Sequence, residues 1–124
     1  MGVRGVGVDV VDVARFQLAL TRRPRIVSRL FTEGEQRDSR AKTERLAARF
    51  AAKEAVMKTL GVGVGSVPWQ SIEVVRLASG APTIAVHGAA AELADRRGVT
   101  HFHVSLTHSD LSAIAMVVGT DDAG

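Results

Sequence analysis

The segment nearest the amino terminus restricts the fold of this chain most. Residues 3–11 alternate in the way that a β-strand does. One face of the predicted strand carries the valines Val6, Val8 and Val10. The other face carries Gly5, Gly7 and Asp9. Because glycine has no side chain, this second face lets a ligand or another backbone approach closely. We therefore expect close packing here, beside a carboxylate that is either a metal ligand or a turn cap.

The other periodicities predict one α+β domain that spans residues 1–124. A long helix is expected over about 44–60, and shorter helices follow Asp12, follow Thr32 and cover 88–97. Further strands are predicted at 71–77, 83–86, 102–107 and 111–118. The order β-α-α-α-β-β-α-β-β favours a mainly antiparallel sheet packed with one long central helix and shorter helices. Aromatic residues make up only 4% of the chain, so small side chains must fill a small core, and an oligomer would help to stabilise it.

Composition excludes several classes of function. The chain has no cysteine, which rules out disulfides, thiolate catalysis and cysteine-based zinc sites. No apolar run is long enough to span a bilayer, and the start of the chain lacks a signal-peptide pattern, so we expect a cytoplasmic protein. The formal net charge is +3. Five arginines without an intervening acid lie within residues 15–29, which indicates either an acidic partner or a solvated helix face.

The long helix contains charged residues in unusual places. Its large apolar stripe is made by Leu46, Phe50, Met57 and Leu60, and Lys53 falls within that stripe. A lysine there is costly unless it reaches solvent or an anion. Glu54 lies at the border of the stripe with Lys58 four residues later. This spacing also fits an ordinary surface ion pair, so the residues alone leave both interpretations open.

A third polar cluster lies near the carboxyl terminus. His103, Ser105 and Thr107 form one face of a predicted strand, and His108 follows at its end. Hydroxyl and imidazole groups in this arrangement can bind phosphate oxygens. An exposed polar sheet face would give the same pattern. The sequence contains neither a Walker P-loop nor a Rossmann glycine motif.

Taken in order, three blocks resemble the bacterial holo-acyl-carrier-protein synthases, the small group of phosphopantetheinyl transferases. They are GVGVDV at 5–10, followed by Arg15 and Phe16; ARFAAKEAVMK at 48–58, followed by Leu60 and Gly61; and HVSLTH at 103–108. The resemblance implies an α+β protein that assembles as a trimer with active sites between subunits. It also implies Mg²⁺-dependent transfer of 4′-phosphopantetheine from coenzyme A to a serine of an acyl carrier protein, which releases adenosine 3′,5′-bisphosphate.

The same resemblance implies roles for individual residues. Asp9 and Glu54 are the expected Mg²⁺ ligands, because two hard carboxylate oxygens suit that ion. Glu54, Lys58 and His108 are the expected catalytic residues. The expected coenzyme A contacts are Lys53, Lys58, His103, Ser105 and His108. The general base stays open between Glu54, acting through a water, and Glu35 or another acid before the long helix.

Arg15, Arg22 and Arg25 resemble the family's basic docking surface for the acidic helix of the carrier protein.

The sequence departs from the family's pattern at two positions. Ala81 stands between Gly80 and Pro82 where relatives often have a basic residue, and Ser109 stands where some have an acid. The first puts one phosphate contact in doubt, and the second puts proton transfer by His108 in doubt. The alternatives are a basic nucleic-acid-binding module, which leaves Asp9 unexplained, and a catalytically silent interaction subunit.

Overall fold

The computed structural model of the chain describes residues 2–122. The strands are β1 (Val3–Asp12), β2 (Ile72–Arg76), β3 (Pro82–Val86), β4 (His101–His108) and β5 (Ser112–Thr120). The helices are α1 (Val13–Arg22), α2 (Ile26–Leu30), α3 (Glu33–Ser39), α4 (Thr43–Thr59) and α5 (Gly88–Arg96). A short 3₁₀ turn at Trp69–Ser71 precedes β2. The predicted α+β class and the antiparallel pairing are confirmed.

The strands form two antiparallel sheets around the long helix. One sheet has the order β1-β5-β4, and the other is the β2-β3 hairpin. Helix α4 packs across one face of β1 and β5 and also contacts β2, α1 and α3. The largest group of buried apolar residues joins α4 to both sheets and α5, and a second group lies under α1 and α2. The long helix is therefore the element that connects the two sheets and the other helices.

The glycine face of β1 is where α4 comes closest to the sheet. A Cβ built on Gly5 would lie 2.2 Å from the Thr59 carbonyl oxygen, and one built on Gly7 would lie 2.1 Å from that of Ala55. Neither position accepts a side chain unless the helix moves. The expectation of a close neighbour is confirmed, and that neighbour is another backbone.

Local capping follows the sequence closely. The Asp12 side chain accepts a hydrogen bond of 2.9 Å from the Arg15 backbone N–H and so begins α1. Thr32 and Glu35 form the predicted reciprocal capping box at the start of α3. Gly61 follows the C-cap residue Leu60 of α4 and has a φ of +74°, in the left-handed region that glycine adopts easily.

One element was not predicted. Helix α2 has five residues, which is too short for the helical period to show against its surroundings. Its position after Pro24 is typical of a helix start, and Leu30 anchors it with 6% exposure. No helix within residues 2–122 is both long enough and apolar enough to cross a bilayer.

Candidate active site

Asp9 and Glu54, separated by 45 residues of sequence, meet at the surface between β1 and α4. Asp9 continues the inward face of β1 beyond the two glycines, so its carboxylate reaches the side of the helix. Glu54 projects from α4 at that level, and its protonated form donates a hydrogen bond to Asp9. The two carboxylates that the resemblance assigned to one ion therefore converge within a single chain.

The electrostatics of this pair are unfavourable without a cation. Burial, and after it the nearby Asp9, raise the pKa of Glu54 to about 7, and Lys58 opposes the increase. Lys58 Nζ donates to Asp9 Oδ1 at 3.1 Å and to the Val8 carbonyl oxygen at 2.9 Å. One ammonium thus partly neutralises two carboxylates, and the site retains affinity for a further positive charge.

The carboxylates of Asp9 and Glu54 fit a hard divalent cation whose remaining ligands are water and phosphate oxygens. Within residues 2–122, no group of three or more histidine, cysteine, aspartate or glutamate side chains is placed to hold a metal ion. Asp9 and Glu54 supply carboxylate oxygens only, which are the ligands that Mg²⁺ prefers. Mg²⁺ commonly binds one or two protein carboxylates and completes its shell with water and phosphate, so a pair is a sufficient protein contribution.

Lys53 does not face this site, which corrects the expectation that it contacts coenzyme A. Its side chain is fully buried, and its ammonium pairs with Glu35 Oε1 at 2.7 Å. The same ammonium donates to the carbonyl oxygens of Trp69 and Ile72. These three acceptors use all three donors of a lysine, so none is left for a ligand.

Glu35 is also removed as a candidate general base. Its side chain is 0% exposed. Besides Lys53, it accepts hydrogen bonds from the backbone N–H groups of Thr32 at 3.0 Å and Val74 at 2.9 Å. A carboxylate that is enclosed and fully hydrogen-bonded has no path to a substrate proton.

His108 lines a cleft on the other side of α4 from Asp9. The cleft holds about 280 Å³ between the first half of α4, the β2-β3 hairpin and the end of β4. Its charged and titratable lining residues are Asp38, Arg45, Arg49, Arg76 and His108. Three guanidinium groups against one carboxylate make this cleft a candidate anion site.

Arg49 strengthens that interpretation. It is 9% exposed, and its Nε is buried without a hydrogen-bond partner in the part of the chain that the structure describes. Burial lowers the pKa of this guanidinium, against the influence of Glu35 and Asp38. A buried donor without a partner is costly, and an anion in the cleft would provide one.

Within one chain the cleft and the carboxylate pair are separate. Asp9 is aligned across β5 with Leu106, and His108 lies two residues beyond Leu106. From strand spacing and rise, the Cα atoms of Asp9 and His108 are about 12 Å apart. A ligand that contacts both must be extended, or the two halves must come from different copies of the chain.

His103 and Ser105 face away from both features. They alternate with the inward-facing residues of β4, so they lie on the outer face of the three-stranded sheet. His103 Nε2 is 3.1 Å from Thr120 Oγ1 on β5. Within one chain, His103 and Ser105 therefore do not line the cleft with His108, and their contact with coenzyme A stays a prediction.

The rest of that outer face is apolar. Its exposed members on β1 and β5 are Val6, Val8, Val10, Ile114 and Met116, with exposures of 60%, 59%, 64%, 38% and 52%. In register, Val8 pairs with Met116 and Met116 with Ser105, so the apolar rows continue into the polar strand. A continuous apolar sheet face of this kind is typical of a surface that another chain covers.

The arginines proposed for docking lie on or next to two consecutive helices. Arg15 and Arg22 are on α1, Arg25 is the residue directly before α2, and all three are exposed.

Sequence reasoning did not identify the cleft arginines Arg45 and Arg49. Their i,i+4 spacing was an available signal, because like charges at that spacing destabilise a helix unless an anion lies between them.

Comparisons with known proteins show which family this chain is similar to. Residues 5–115 match the family described as the 4′-phosphopantetheinyl transferase superfamily. A holo-[acyl-carrier-protein] synthase of Clavibacter sepedonicus is 52% identical over 94% of each chain. The solved holo-[acyl-carrier-protein] synthase of Helicobacter pylori, in complex with coenzyme A, is 28% identical with a TM-score of 0.84 and covers 93% of this chain and 99% of that one. That of Bacillus anthracis, in complex with CoA (3′,5′-ADP), is 29% identical with a TM-score of 0.78 and covers 97% of this chain and 98% of that one.

Proposed function

The chain belongs to the 4′-phosphopantetheinyl transferase superfamily, within its holo-[acyl-carrier-protein] synthases, and from this premise we propose a specific reaction. The enzyme transfers 4′-phosphopantetheine from coenzyme A to a serine of an apo-acyl carrier protein in a Mg²⁺-dependent step. Adenosine 3′,5′-bisphosphate is the second product. The observation that carries the proposal is the convergence of Asp9 and Glu54 beside Lys58.

Asp9 and Glu54 would hold the Mg²⁺ ion. When bound, the ion would neutralise charge on the pyrophosphate of coenzyme A and orient it for in-line attack. The fit is supported by the chemistry of the pair, because two adjacent carboxylates with one lysine between them are short of positive charge. A bound ion would offset both the burial of Glu54 and its repulsion by Asp9, the two effects that raise the pKa of Glu54 to about 7.

Lys58 is placed to stabilise the charge that develops during transfer. A serine oxygen forms a bond to the phosphorus that bears pantetheine, the bond from that phosphorus to the bridging oxygen breaks, and the serine proton is released. Lys58 is 47% exposed while Asp9 is 12% exposed, so the ammonium can turn from the carboxylate towards a phosphate oxygen. Its contact strengthens as negative charge builds on the leaving group. With Glu35 enclosed, the general base we retain is Glu54, acting through a water.

We assign the phosphates at the nucleotide end of coenzyme A to the arginine cleft. Arg45, Arg49 and Arg76 supply guanidinium donors there, and His108 closes the cleft at the end of β4. Ala81 stands where relatives often have a basic residue. Arg76 on the same hairpin offers a cation close to that position, which supports this assignment. Arg76 Nε lies 3.4 Å from the Gly80 carbonyl oxygen, beside the turn.

We further propose that the protein acts as a cytoplasmic homotrimer with active sites between subunits. The apolar outer face of β1 and β5 is the surface that the partner copies cover. Association would place the arginine cleft, His103 and Ser105 of one copy near the carboxylates of another. The exposed Arg15, Arg22 and Arg25 would then meet the acidic helix of the carrier protein.

Intact-mass spectrometry tests the reaction directly. With Mg²⁺ and coenzyme A, an apo-acyl carrier protein should gain the mass of one phosphopantetheine, and a chelator should abolish the gain. An unchanged carrier protein with wild-type enzyme and Mg²⁺ would contradict the proposal. Several apo-carrier proteins assayed side by side would identify the preferred acceptor.

Mixing two inactive variants tests the shared site. Glu54→Gln and Arg49→Ala should each be nearly inactive alone. After co-refolding in equal amounts, random trimers should recover about a quarter of wild-type activity, because one site in four receives both intact halves. No recovery from a mixture that forms trimers would place both halves of the site in one subunit.

A further inference from the structure

A buried ion pair on the side of α4 next to Glu54 has no part in the chemistry described so far. Lys53 and Glu35 are both 0% exposed in their side chains, and 2.7 Å separates Lys53 Nζ from Glu35 Oε1. A buried ion pair does not stabilise a fold better than an apolar pair of similar volume does. Its presence next to the Glu54 position therefore calls for a reason other than stability.

The pair joins α4 to two other elements. Glu35 lies on α3 and accepts from Val74 on β2 at 2.9 Å. The Lys53 ammonium also donates to the carbonyl oxygens of Trp69 and Ile72, at the entry to β2. Every strong donor and acceptor at this junction is matched by a partner of fixed direction, so the Lys53 side chain has one position.

Much of the buried surface of α4 is made by small side chains, although Leu46, Val56 and Met57 are buried as well. Five of its 17 residues are alanines, at positions 47, 48, 51, 52 and 55. Alanine ridges are low, so they interlock weakly with neighbouring elements. The contacts of Gly5 with Thr59 and of Gly7 with Ala55 limit how close the helix comes to β1. They restrict its rotation much less, because a glycine face is smooth.

Rotation matters because Glu54 is the residue directly after Lys53. A roll of about 10° moves a side-chain atom about 6 Å from the helix axis by about 1 Å. A displacement of that size is enough to spoil a metal site or a reacting geometry. Fixing the direction of Lys53 fixes the direction of Glu54, which lies about 100° further around the same turn.

We propose that Glu35 and Lys53 are positioning residues that set the rotation of α4 and so aim the Glu54 carboxylate at Asp9. The inference rests on the proposed function of Asp9 and Glu54 as an ion site. It adds two residues that touch neither the ion nor the substrate. Partners that orient metal ligands commonly change metal affinity by about 10- to 100-fold when they are replaced.

The test compares the double variant Lys53→Met/Glu35→Gln with Val56→Ala. The double variant removes both charges at similar side-chain length, so no unpaired charge stays buried. Val56 is a fully buried residue of the same helix, and its truncation weakens packing without touching the pair. The first readout is Mn²⁺ affinity, measured by electron paramagnetic resonance in the absence of substrate. The second is the separation of kcat from the KM for coenzyme A.

We expect the double variant to bind Mn²⁺ at least tenfold more weakly and to lose kcat with little change in KM. Val56→Ala should keep both values near wild type at temperatures well below its lowered Tm. Equal Mn²⁺ affinities for the two variants would overturn the inference. A wild-type protein that binds Mn²⁺ neither alone nor with coenzyme A present would instead overturn the proposed function.

If the double variant does not fold, a second variant can still test whether Glu35 and Lys53 position Glu54. Glu35→Asp retains the charge and draws the carboxylate back by one methylene, so Lys53 must shift to follow it. Weaker Mn²⁺ binding in a folded Glu35→Asp protein supports positioning. Wild-type Mn²⁺ affinity in that protein contradicts it.

Discussion

Helix α4 carries two lysine–carboxylate clusters that use the same chemical groups for different ends. Lys53 and Glu35 are both fully buried, whereas Lys58 and Asp9 are 47% and 12% exposed. In the buried cluster the ammonium finds three acceptors and the carboxylate oxygens find matching donors. In the open cluster two carboxylates share one lysine. The buried cluster, in which every polar group has a partner, stabilises the fold. The open cluster has more negative than positive charge and is suited to bind a cation.

The largest expected effect is on the open cluster. Glu54→Gln should lower kcat by about 10²- to 10³-fold, because it removes a charged oxygen from the reacting centre. Its circular dichroism spectrum should stay that of the wild type, since no buried ion pair is broken. A steady-state assay at saturating Mg²⁺ measures the loss. Turnover within threefold of wild type would remove Glu54 from the site.

The next largest effect separates the two lysines. Lys53→Met alone leaves Glu35 buried without its cation and should cost about 3–5 kcal/mol of unfolding free energy. Lys58→Met is the matched control, and it should change that free energy by less than about 1 kcal/mol because Lys58 is partly exposed. Urea denaturation measures both. Equal destabilisation by the two substitutions would contradict the distinction between a structural and a functional lysine.

A smaller effect appears in the pH dependence of stability without metal. The pKa of Glu54 is about 7, compared with 4.5 in its unperturbed state, so its folded form prefers the proton. The stability it contributes is complete below about pH 4.5 and is lost as pH rises through 7. Glu54→Gln keeps that stability, so its advantage over wild type should be near zero at pH 4.5 and about 1 kcal/mol at pH 8, after allowance for solvent screening.

Thermal unfolding of both proteins across this pH range, with a chelator present, measures the difference. Saturating Mg²⁺ should reverse its sign at pH 8, because only the wild-type pair binds the ion strongly. An advantage for Glu54→Gln that is the same at pH 5 and pH 8 would show that folding does not raise the pKa of Glu54.

The smallest effect lies far from both clusters. Arg22→Ala should raise the KM for the carrier protein several-fold at low salt and leave kcat unchanged, since docking charges act mainly on encounter. The rise should fade as salt increases. Arg96→Ala, another exposed arginine in the last turn of a helix, is the control and should have no such effect. An equal rise in KM for both variants would indicate general charge attraction rather than a docking surface.

Much of this arrangement could be predicted from the sequence because its signals are local or repeat with a clear period. The alternation of residues 3–11 and the long helical stripe were sufficient to place β1 and α4. The bare glycine face predicted their close contact. The capping box at Thr32 depends on residues three apart and was therefore readable. The meeting of Asp9 with Glu54 came from the resemblance, because spacing alone does not bring distant residues together.

The errors share one physical cause: the residues that contact each other in the fold lie far apart in the sequence, and no local pattern links them. The cost of Lys53 in an apolar stripe was recognised, but its anion, Glu35, lies 18 residues earlier and was counted as a capping residue and a possible base. Alternation showed that His103 and Ser105 share a face, but not which side of the sheet α4 covers. The arginine cleft needs the β2-β3 hairpin beside α4, and no local pattern predicts that neighbour.

The contact of Gly7 with the Ala55 carbonyl oxygen has a consequence for how this site tolerates change over evolution. The separation between the strand that carries Asp9 and the helix that carries Glu54 is determined by main-chain atoms in contact. Apolar residues elsewhere around the helix can therefore be exchanged for others of similar volume without altering that separation. A methyl group at position 7 would push the Asp9 and Glu54 carboxylates apart, whatever the surrounding core contained.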